Sequence, residues 1–402
     1  LLESSHFQTF LKGRREQAMR QIFYNDSFYN SVTIPEEQIH KNYSFAGRTF
    51  QVHYINLPDI TTTQKVIGLA EEDVSLNSIY TNLWEGSTPS REIDWFDKEP
   101  DIILDKLFNV DIEKGALLGP FETEANNYLI MEVVGWVDQP VITELDQQTR
   151  WNDVNKRLTE RAATKDYLQY VEELMSGKNM ELIPDVFSAY SSLAMDHYLK
   201  DDMDKKKALN KAIWDDVENI ELEYIDKAPG IDPSDILFTY ENKNWTVKDF
   251  NDLLRSHPLV FRKKKMNKAE FRSQLKFAMA DLLRDMEITN ICYDKDLDGD
   301  WRVISNVGQW YDAYASKRYI ENMDTIKSTS QKELLDRLDP VIDSLQEVYS
   351  QRIKINMDAF EKIDLTSTDM VVTQQGLPYP IVVPSFPIIT TDNRLDYGSK
   401  LE

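Results

Sequence analysis

The chain has 402 residues, of which 41% are hydrophobic and 11% aromatic, so it can form two or three domains with buried cores and is not wholly disordered. Its formal net charge of −23 argues against nucleic-acid binding, because an acidic surface repels phosphate groups. The sequence contains no run of about 18 apolar residues that could span a membrane. The single cysteine, Cys292, permits no intramolecular disulfide.

Residues 1–43 are predicted to be mainly helical. Large apolar side chains recur near helical spacing, with Arg and Lys between them. A second helix is predicted after Thr33 and Pro35, with Thr33 as its cap and Glu36 and Glu37 in its first turn. This helix leads into the first predicted strand.

Residues 49–137 are predicted to form a compact sheet domain. Strands are predicted at residues 49–56 and 92–96, followed by a helix near residues 100–110. A hairpin then joins residues 115–123 to residues 128–136. Its arms are rich in apolar, aromatic and β-branched residues, and the Asn pair before residue 128 tolerates the positive φ of a tight turn.

The remainder is predicted to be mainly helical, with one small hairpin at residues 236–247. Asn242, Lys243 and Asn244 form the predicted turn of this hairpin, and Thr246 caps the helix that follows it. The predicted helices cover residues 144–175, 186–200, 205–217, 247–255, 268–291, 303–323 and 334–353. The fold class is therefore predicted to be α+β.

The sheet domain resembles the second half of a parvulin-type peptidyl-prolyl isomerase domain. The segment ending in Trp95-Phe96, the pair Leu107-Phe108 and Gly115 recur in the order typical of that family. The matching motifs continue with residues 119–123 (Gly-Pro-Phe-Glu-Thr) and residues 128–133 (Tyr-Leu-Ile-Met-Glu-Val). The resemblance implies a four-stranded antiparallel sheet with helices packed on it.

Two further segments are similar to bacterial extracytoplasmic foldases of the SurA and PrsA kind. Residues 32–43 resemble the segment that joins the helical part of those proteins to their parvulin domain, and residues 237–319 resemble their helical chaperone lobe. The organisation this implies is a helical segment at 1–43, a parvulin-like domain at 44–140, a helical lobe at 141–355 and a tail at 356–402.

The resemblance also assigns a site. Active parvulins carry a His on the first and last strands, beside an apolar pocket for the substrate proline. Here the last-strand position holds Leu129, and the first-strand position holds Tyr54, or His53 if the alignment slips by one residue onto the opposite face. The substrate-contacting positions carried over are Tyr54, Asp94, Phe108, Phe121 and Leu129. Because both His positions are altered, no catalytic residue is assigned.

The function implied is a foldase-like chaperone of the periplasm or cell envelope that binds unfolded exported proteins without a cofactor. Two alternatives stay open: an active prolyl isomerase, whose reaction is a bond rotation and needs little acid–base machinery, and a structural subunit of an outer-membrane assembly. A membrane anchor upstream of Leu1 is compatible with the resemblance. Neither the clients nor the oligomeric state follows from the sequence.

A run of acids at Asp294, Asp296, Asp298 and Asp300 has the spacing of a calcium-binding EF-hand loop, with Gly299 at the sixth position. The twelfth position, which should be a bidentate Glu, is Ser305. Turn chemistry and helix capping explain the same acids without an ion, so the sequence assigns no metal.

Two segments outside these domains are distinctive. The short basic run at residues 262–265 is expected to be a solvated helix start. Residues 377–387 carry four prolines between large apolar groups, which predicts an extended segment, either a strap over its own helical lobe or a docking arm for a partner. The final Leu401-Glu402 resembles an expression-vector scar.

Overall fold

The computed structural model describes residues 4–72, 74–84, 86–109, 111–123, 127–199, 231–263, 266–323, 331–357, 383–384 and 399–401. It is an α+β protein, as predicted, and its chain divides into two compact units. The sheet unit consists of residues 31–163, and the helical unit consists of residues 1–30 and 164–402. The first helix therefore belongs to the helical unit, whereas the sequence set it apart as a segment of its own.

The sheet unit contains four antiparallel strands in the order β2-β1-β4-β3. Two helices follow β1 and one follows β2. The elements in chain order are α2 (Glu36–Tyr43), β1 (Arg48–Leu57), α3 (Ile60–Glu71), α4 (Leu76–Leu83), β2 (Ser90–Asp94), α5 (Asp101–Leu107), β3 (Leu117–Glu122), β4 (Tyr128–Asp138) and the start of α6 (Glu144–Met175).

Both faces of this sheet are covered, because apolar residues alternate onto each side of the strands. One face packs Ile55 and Ile130 against Val66 of α3 and Leu76 and Ile79 of α4. The other face packs its side chains against α2, α5 and α6. Its strand residues are Phe50, Val52, Ile93, Leu118, Phe121, Leu129, Met131 and Val133.

The helical unit begins with α1 (Ser5–Tyr24), which continues into a π-helical turn at Asn25–Tyr29. A small sheet has the strand order β5-β6-β7, and β8 and β9 form a parallel pair. The other elements are β5 (Met180–Leu182), α7 (Pro184–Tyr198), β6 (Ile236–Tyr240), β7 (Lys243–Thr246), α8 (Val247–Ser256), α9 (Lys268–Asp294), α10 (Trp301–Met323), α11 (Gln331–Tyr349), β8 (Lys354–Asn356) and β9 (Ser399–Leu401).

Reciprocal caps fix where two of these helices begin. Thr246 accepts the backbone N–H of Asp249 at 3.1 Å, and the Asp249 carboxylate accepts the Thr246 N–H at 3.1 Å. Asn267 and Glu270 form the same capping box at the start of α9. Each box satisfies backbone donors that a helix start leaves unpaired. The predicted cap at Thr246 is confirmed.

Several predictions need correction. Pro35, not Thr33, occupies the cap position of α2, without a side-chain bond. The positive φ values at Glu241 and Asn242 place the small hairpin's turn there, one residue earlier than predicted. Leu401 pairs with Asn356 in the β8–β9 sheet, and the interpretation of Leu401-Glu402 as a vector scar stays a prediction. The predicted helix at 205–217 and all of the proline-rich segment except residues 383–384 lie outside the described residues.

Candidate functional site

The face of the sheet opposite α3 and α4 brings together most of the residues that the parvulin resemblance assigns. Tyr54 on β1 pairs in register with Met131 on β4, and Leu129 on β4 pairs with Phe121 on β3. Because side chains two residues apart along a strand share a face, Tyr54, Met131, Leu129 and Phe121 point to the same side. Phe108, directly after α5, packs in the same cluster.

The apolar part of this face is filled by the protein itself. Phe108 and Phe121 are each 7% exposed and Leu129 is 8% exposed. The Phe108 ring lies 5.0 Å, centroid to centroid, from the Phe50 ring in an edge-on arrangement. A proline or aromatic ring could enter here only by displacing core side chains, because protein interiors are close-packed.

Tyr54 is the most accessible of these assigned residues on the face, and it lies under a cation. The Arg91 guanidinium is 5.3 Å from the centroid of the Tyr54 ring. Two hydrogen bonds, of 2.6 and 3.1 Å, join Arg91 to the Glu99 carboxylate. The Tyr54 ring is thus held beside a guanidinium–carboxylate pair. This arrangement stabilises the ring, and it contains no imidazole.

Asp94 does not join this group. It lies opposite Thr49 on β1 and accepts the hydroxyl hydrogen bond of that residue. Tyr54 is five positions beyond Thr49 on β1, a distance of about 16 Å along the strand. The odd spacing also places Thr49 and Asp94 on the opposite face from Tyr54.

His53 lies on the face covered by α3 and α4, so a one-residue slip of the alignment does not bring an imidazole to the candidate site. Its Nδ1 is 4.0 Å from the Glu132 carboxylate. Glu132 also accepts the backbone N–H of Leu76 at the start of α4, at 2.9 Å. The pair therefore helps to dock α4 on the sheet.

The acidic run at residues 294–300 is a helix-to-helix turn. Asp300 accepts the backbone N–H of Arg302 at 2.8 Å, and hydrogen bonds from the Arg302 side chain hold the pKa of the Asp300 carboxyl below its ordinary value. Arg302 also binds Asp26. No group of three or more His, Cys, Asp or Glu side chains in the described ranges is placed to hold a metal ion.

Cys292 is fully buried near the end of α9. Burial raises the pKa of its thiol to about 12. The thiolate is the nucleophilic form of cysteine, so this side chain stays unreactive at neutral pH.

A row of large apolar side chains lies in solvent on α10, and the sequence did not single it out. We call Trp301, Ile304, Tyr311 and Tyr319 the α10 stripe; they are 74%, 59%, 39% and 53% exposed. Their spacing puts them along one side of the helix, while the other side packs against α1 through Val307, Trp310 and Tyr314.

No protein-family model matches this chain, and neither does any curated protein sequence. The described part of the chain includes no helix long and apolar enough to cross a membrane.

Proposed function

We propose that this protein is a foldase-like holding chaperone, which binds extended, unfolded exported polypeptides without isomerising their prolyl bonds. The order of elements in the sheet unit supports this reading. Two helices follow β1, one follows β2, and the β3–β4 hairpin closes an antiparallel sheet. This order accommodates every segment on which the parvulin resemblance rests.

Tyr54 and Leu129, at the positions where active parvulins have His, support the absence of isomerase activity in this proposal. Tyr54 and Leu129 share a face with Phe108 and Phe121, so the positions converge although the imidazoles are gone. The leucine side chain has no hydrogen-bonding group, and a tyrosine hydroxyl does not replace the two ring nitrogens of an imidazole. Imidazole-dependent catalysis is therefore not compatible with the residues at these two positions.

Client contact is assigned to the α10 stripe rather than to the filled sheet face. Trp301 and Ile304 are large, apolar and mostly in solvent, which is the kind of surface that marks interaction sites. An extended segment rich in aromatic and aliphatic side chains would cover these residues and remove apolar area from water. The net charge of −23 favours clients or client segments with basic residues.

An aggregation assay tests the proposal. An unfolded outer-membrane-type polypeptide is diluted from denaturant with the full chain, and light scattering is followed. We expect near-stoichiometric suppression, weakened several-fold by a double Trp301→Ser, Ile304→Ser change. The matched control is Ser305→Ala, Gln309→Ala, which alters two exposed polar positions of the same helix. Equal suppression by both variants would remove the α10 stripe as the client surface.

A protease-coupled assay on peptides containing X-Pro bonds separates the chaperone from the enzyme. We expect the rate to stay at that of uncatalysed exchange, which takes tens to hundreds of seconds at 25 °C. A faster rate that is abolished by Tyr54→Phe would support an active isomerase instead. Phe108→Ala is a poorer probe here because it removes a core side chain.

An extracytoplasmic location belongs to the same proposal. Exported clients are met outside the cytoplasm, and the resemblance to envelope foldases leads to the same compartment. Fractionation of cells that express this protein should place it in the periplasmic or envelope fraction. Recovery in the cytoplasmic fraction alone would contradict the proposed clients.

A further inference from the structure

A glycine lies in the middle of the α10 stripe. Gly308 follows Ile304 by four residues and precedes Tyr311 by three, so it lies on the same side of α10 as those two side chains. A Cβ built on Gly308 would meet nothing within 4 Å among the described residues. The stripe is therefore interrupted by an open notch between Ile304 and Tyr311.

The packing of the fold does not explain this glycine. Glycine is among the least favourable residues inside a helix, because its backbone loses the most freedom on folding. Gly308 lies within the 23-residue α10, and its φ is not positive. Gly13 of α1 differs, because a Cβ there would lie 2.1 Å from the Ser256 carbonyl oxygen. A glycine that weakens its helix without a close neighbour is accounted for if a ligand uses the empty space.

The walls of the notch are large apolar side chains. The Tyr311 ring lies 6.0 Å, centroid to centroid, from the ring of Phe7, which is fully buried on α1. Ile304 lies in the first turn of α10, where its backbone N–H donates to the Asp300 carbonyl at 3.0 Å. Both walls are exposed to solvent. A large apolar side chain placed in the notch would remove the facing surfaces of both walls from water.

A carboxylate lies next to the notch. Asp312 is four residues beyond Gly308, and its exposed side chain has no ion-pair or hydrogen-bond partner in the ranges that the structure describes. Four residues of a helix rise about 6 Å, and side chains two residues apart on an extended chain are about 6.6 Å apart. An extended segment along α10 can therefore place one side chain in the notch and the second side chain after it against Asp312.

We infer that this surface selects client segments in which an aromatic or large aliphatic residue is separated by one residue from a Lys or Arg. The apolar side chain enters the notch at Gly308, and the cation pairs with Asp312. The net charge of −23 favours the approach of such basic segments. The inference rests on the chaperone proposal and assigns the class of client segment for the same surface.

Gly308→Leu tests the notch. The full chain is titrated into a fluorescein-labelled dodecapeptide with a central Phe-Thr-Lys, and anisotropy is measured at low salt. Leucine fills the notch, so binding should weaken about fivefold or more, because the peptide's phenylalanine loses its buried contact. If the stripe bound through apolar area alone, the added leucine would tighten binding instead. Gln309→Leu adds the same side chain at an exposed neighbouring position and should not weaken binding.

Thermal melting keeps this test independent of folding. Leucine and alanine both favour a helix more than glycine does, and the space beside Gly308 is open. Gly308→Leu and Gly308→Ala should therefore raise the melting temperature, by about 2–4 °C, while Gly308→Ala weakens binding less. A fall in the melting temperature of both variants would give Gly308 a packing role and overturn the inference.

Matched peptides test the spacing and the charge. A peptide with a central Phe-Lys-Thr, of the same composition, and one with Phe-Thr-Glu should each bind about threefold or more weakly than the Phe-Thr-Lys peptide. Asp312→Asn should abolish the difference between the Lys and Glu peptides. Asp336→Asn, which alters an exposed carboxylate of α11, should retain that difference.

Failure of this inference and failure of the chaperone proposal give different results. If the full chain suppresses aggregation but Gly308→Leu binds the peptide as tightly as the unaltered chain, the inference is overturned and the proposed function stands. Equal binding of all three peptides has the same meaning. If the unaltered chain neither suppresses aggregation nor binds the Phe-Thr-Lys peptide, both are overturned.

Discussion

The sheet face around Leu129 and the cavity beside Arg14 use space in opposite ways. On the sheet face, flexible apolar side chains and rings interlock until three of the assigned residues are at most 8% exposed. The cavity, of about 400 Å³, lies between α1, the segment after α8 and α9. Around it, hydrogen bonds to Asp281 and Asp285 hold the Arg262 and Arg284 guanidinium groups in fixed directions. Apolar groups close a space by packing into it, whereas paired charges keep their distance and orientation and leave room between them.

The largest expected effect tests whether the sheet face is indeed filled. Phe108→Ala should lower the free energy of unfolding by about 3–5 kcal/mol, because it loses buried apolar area and leaves a cavity. Urea unfolding followed by fluorescence measures this. Ile102→Ala, at a position of α5 that is 60% exposed, is the control and should change stability by less than about 0.5 kcal/mol. Similar small losses in both variants would mean that Phe108 faces an open pocket.

A smaller loss of stability is expected from a change at Glu16, which is hydrogen-bonded to His257 in the wall of the cavity. Its carboxylate is 5% exposed, shares a hydrogen bond with His257 and accepts one of 2.9 Å from Tyr293. Burial raises the pKa of Glu16, but the His257 bond and charge, the Tyr293 bond and Lys12 lower it, and the net shift is downward. Glu16→Gln should cost about 1–3 kcal/mol at neutral pH.

The sign of the pH dependence follows from that downward shift. Ionised Glu16 stabilises the fold fully above its unfolded pKa, about 4.5, and the contribution is lost as the pH falls through the lower folded pKa. Acid titration should therefore show a loss of stability below about pH 4.5 that is shallower in Glu16→Gln. Glu36→Gln alters an exposed Glu–His pair and should leave the curve unchanged. If the stability of Glu16→Gln fell with pH in parallel with that of the unaltered chain, Glu16 would not be the source of this pH dependence.

The smallest loss of stability is expected from a change at Arg91, whose guanidinium lies over the Tyr54 ring on the sheet face. Arg91→Gln removes the cation above Tyr54 and the bonds to Glu99, both partly solvated, so the loss of unfolding free energy should be about 0.5–1 kcal/mol. Differential scanning calorimetry at low and high salt measures it, and the difference should shrink with salt. A loss of several kcal/mol would make Arg91 a core residue of this face.

Local patterns predicted the framework of the sheet unit well. The alternation in β1 and the hairpin arms gave strands within a few residues of those observed, and the amphipathic stripe of α6 gave a helix over residues 144–175 as the structure has it. The pairing of β5 with β6 could not be predicted. Met180–Leu182 has only three strand residues, and its partner begins more than 50 residues later.

The convergence of Tyr54, Phe108, Phe121 and Leu129 followed from the family resemblance and from strand parity. Asp94 was assigned through the same resemblance, but its register opposite Thr49 puts it on the other face. The cavity beside Arg14 could not be predicted from local sequence patterns, because its walls come from three separated stretches of the chain. Arg262, one of its lining residues, was predicted only to be part of a solvated basic run. Side-chain contacts between distant segments are what single-sequence patterns leave out.

The division of the chain has a consequence for the order in which the protein folds. Residues 31–163 are continuous, so this unit can complete its core as soon as they have been synthesised. α1 is made long before α9, yet Arg20 of α1 donates to Thr289 of α9, which is 269 residues further on. Contacts of such long range are slow to form, because the intervening loop must close first. Until α9 and α10 are made, the apolar side of α1 stays exposed to solvent, and α1 is for that time itself an unfolded segment that needs protection.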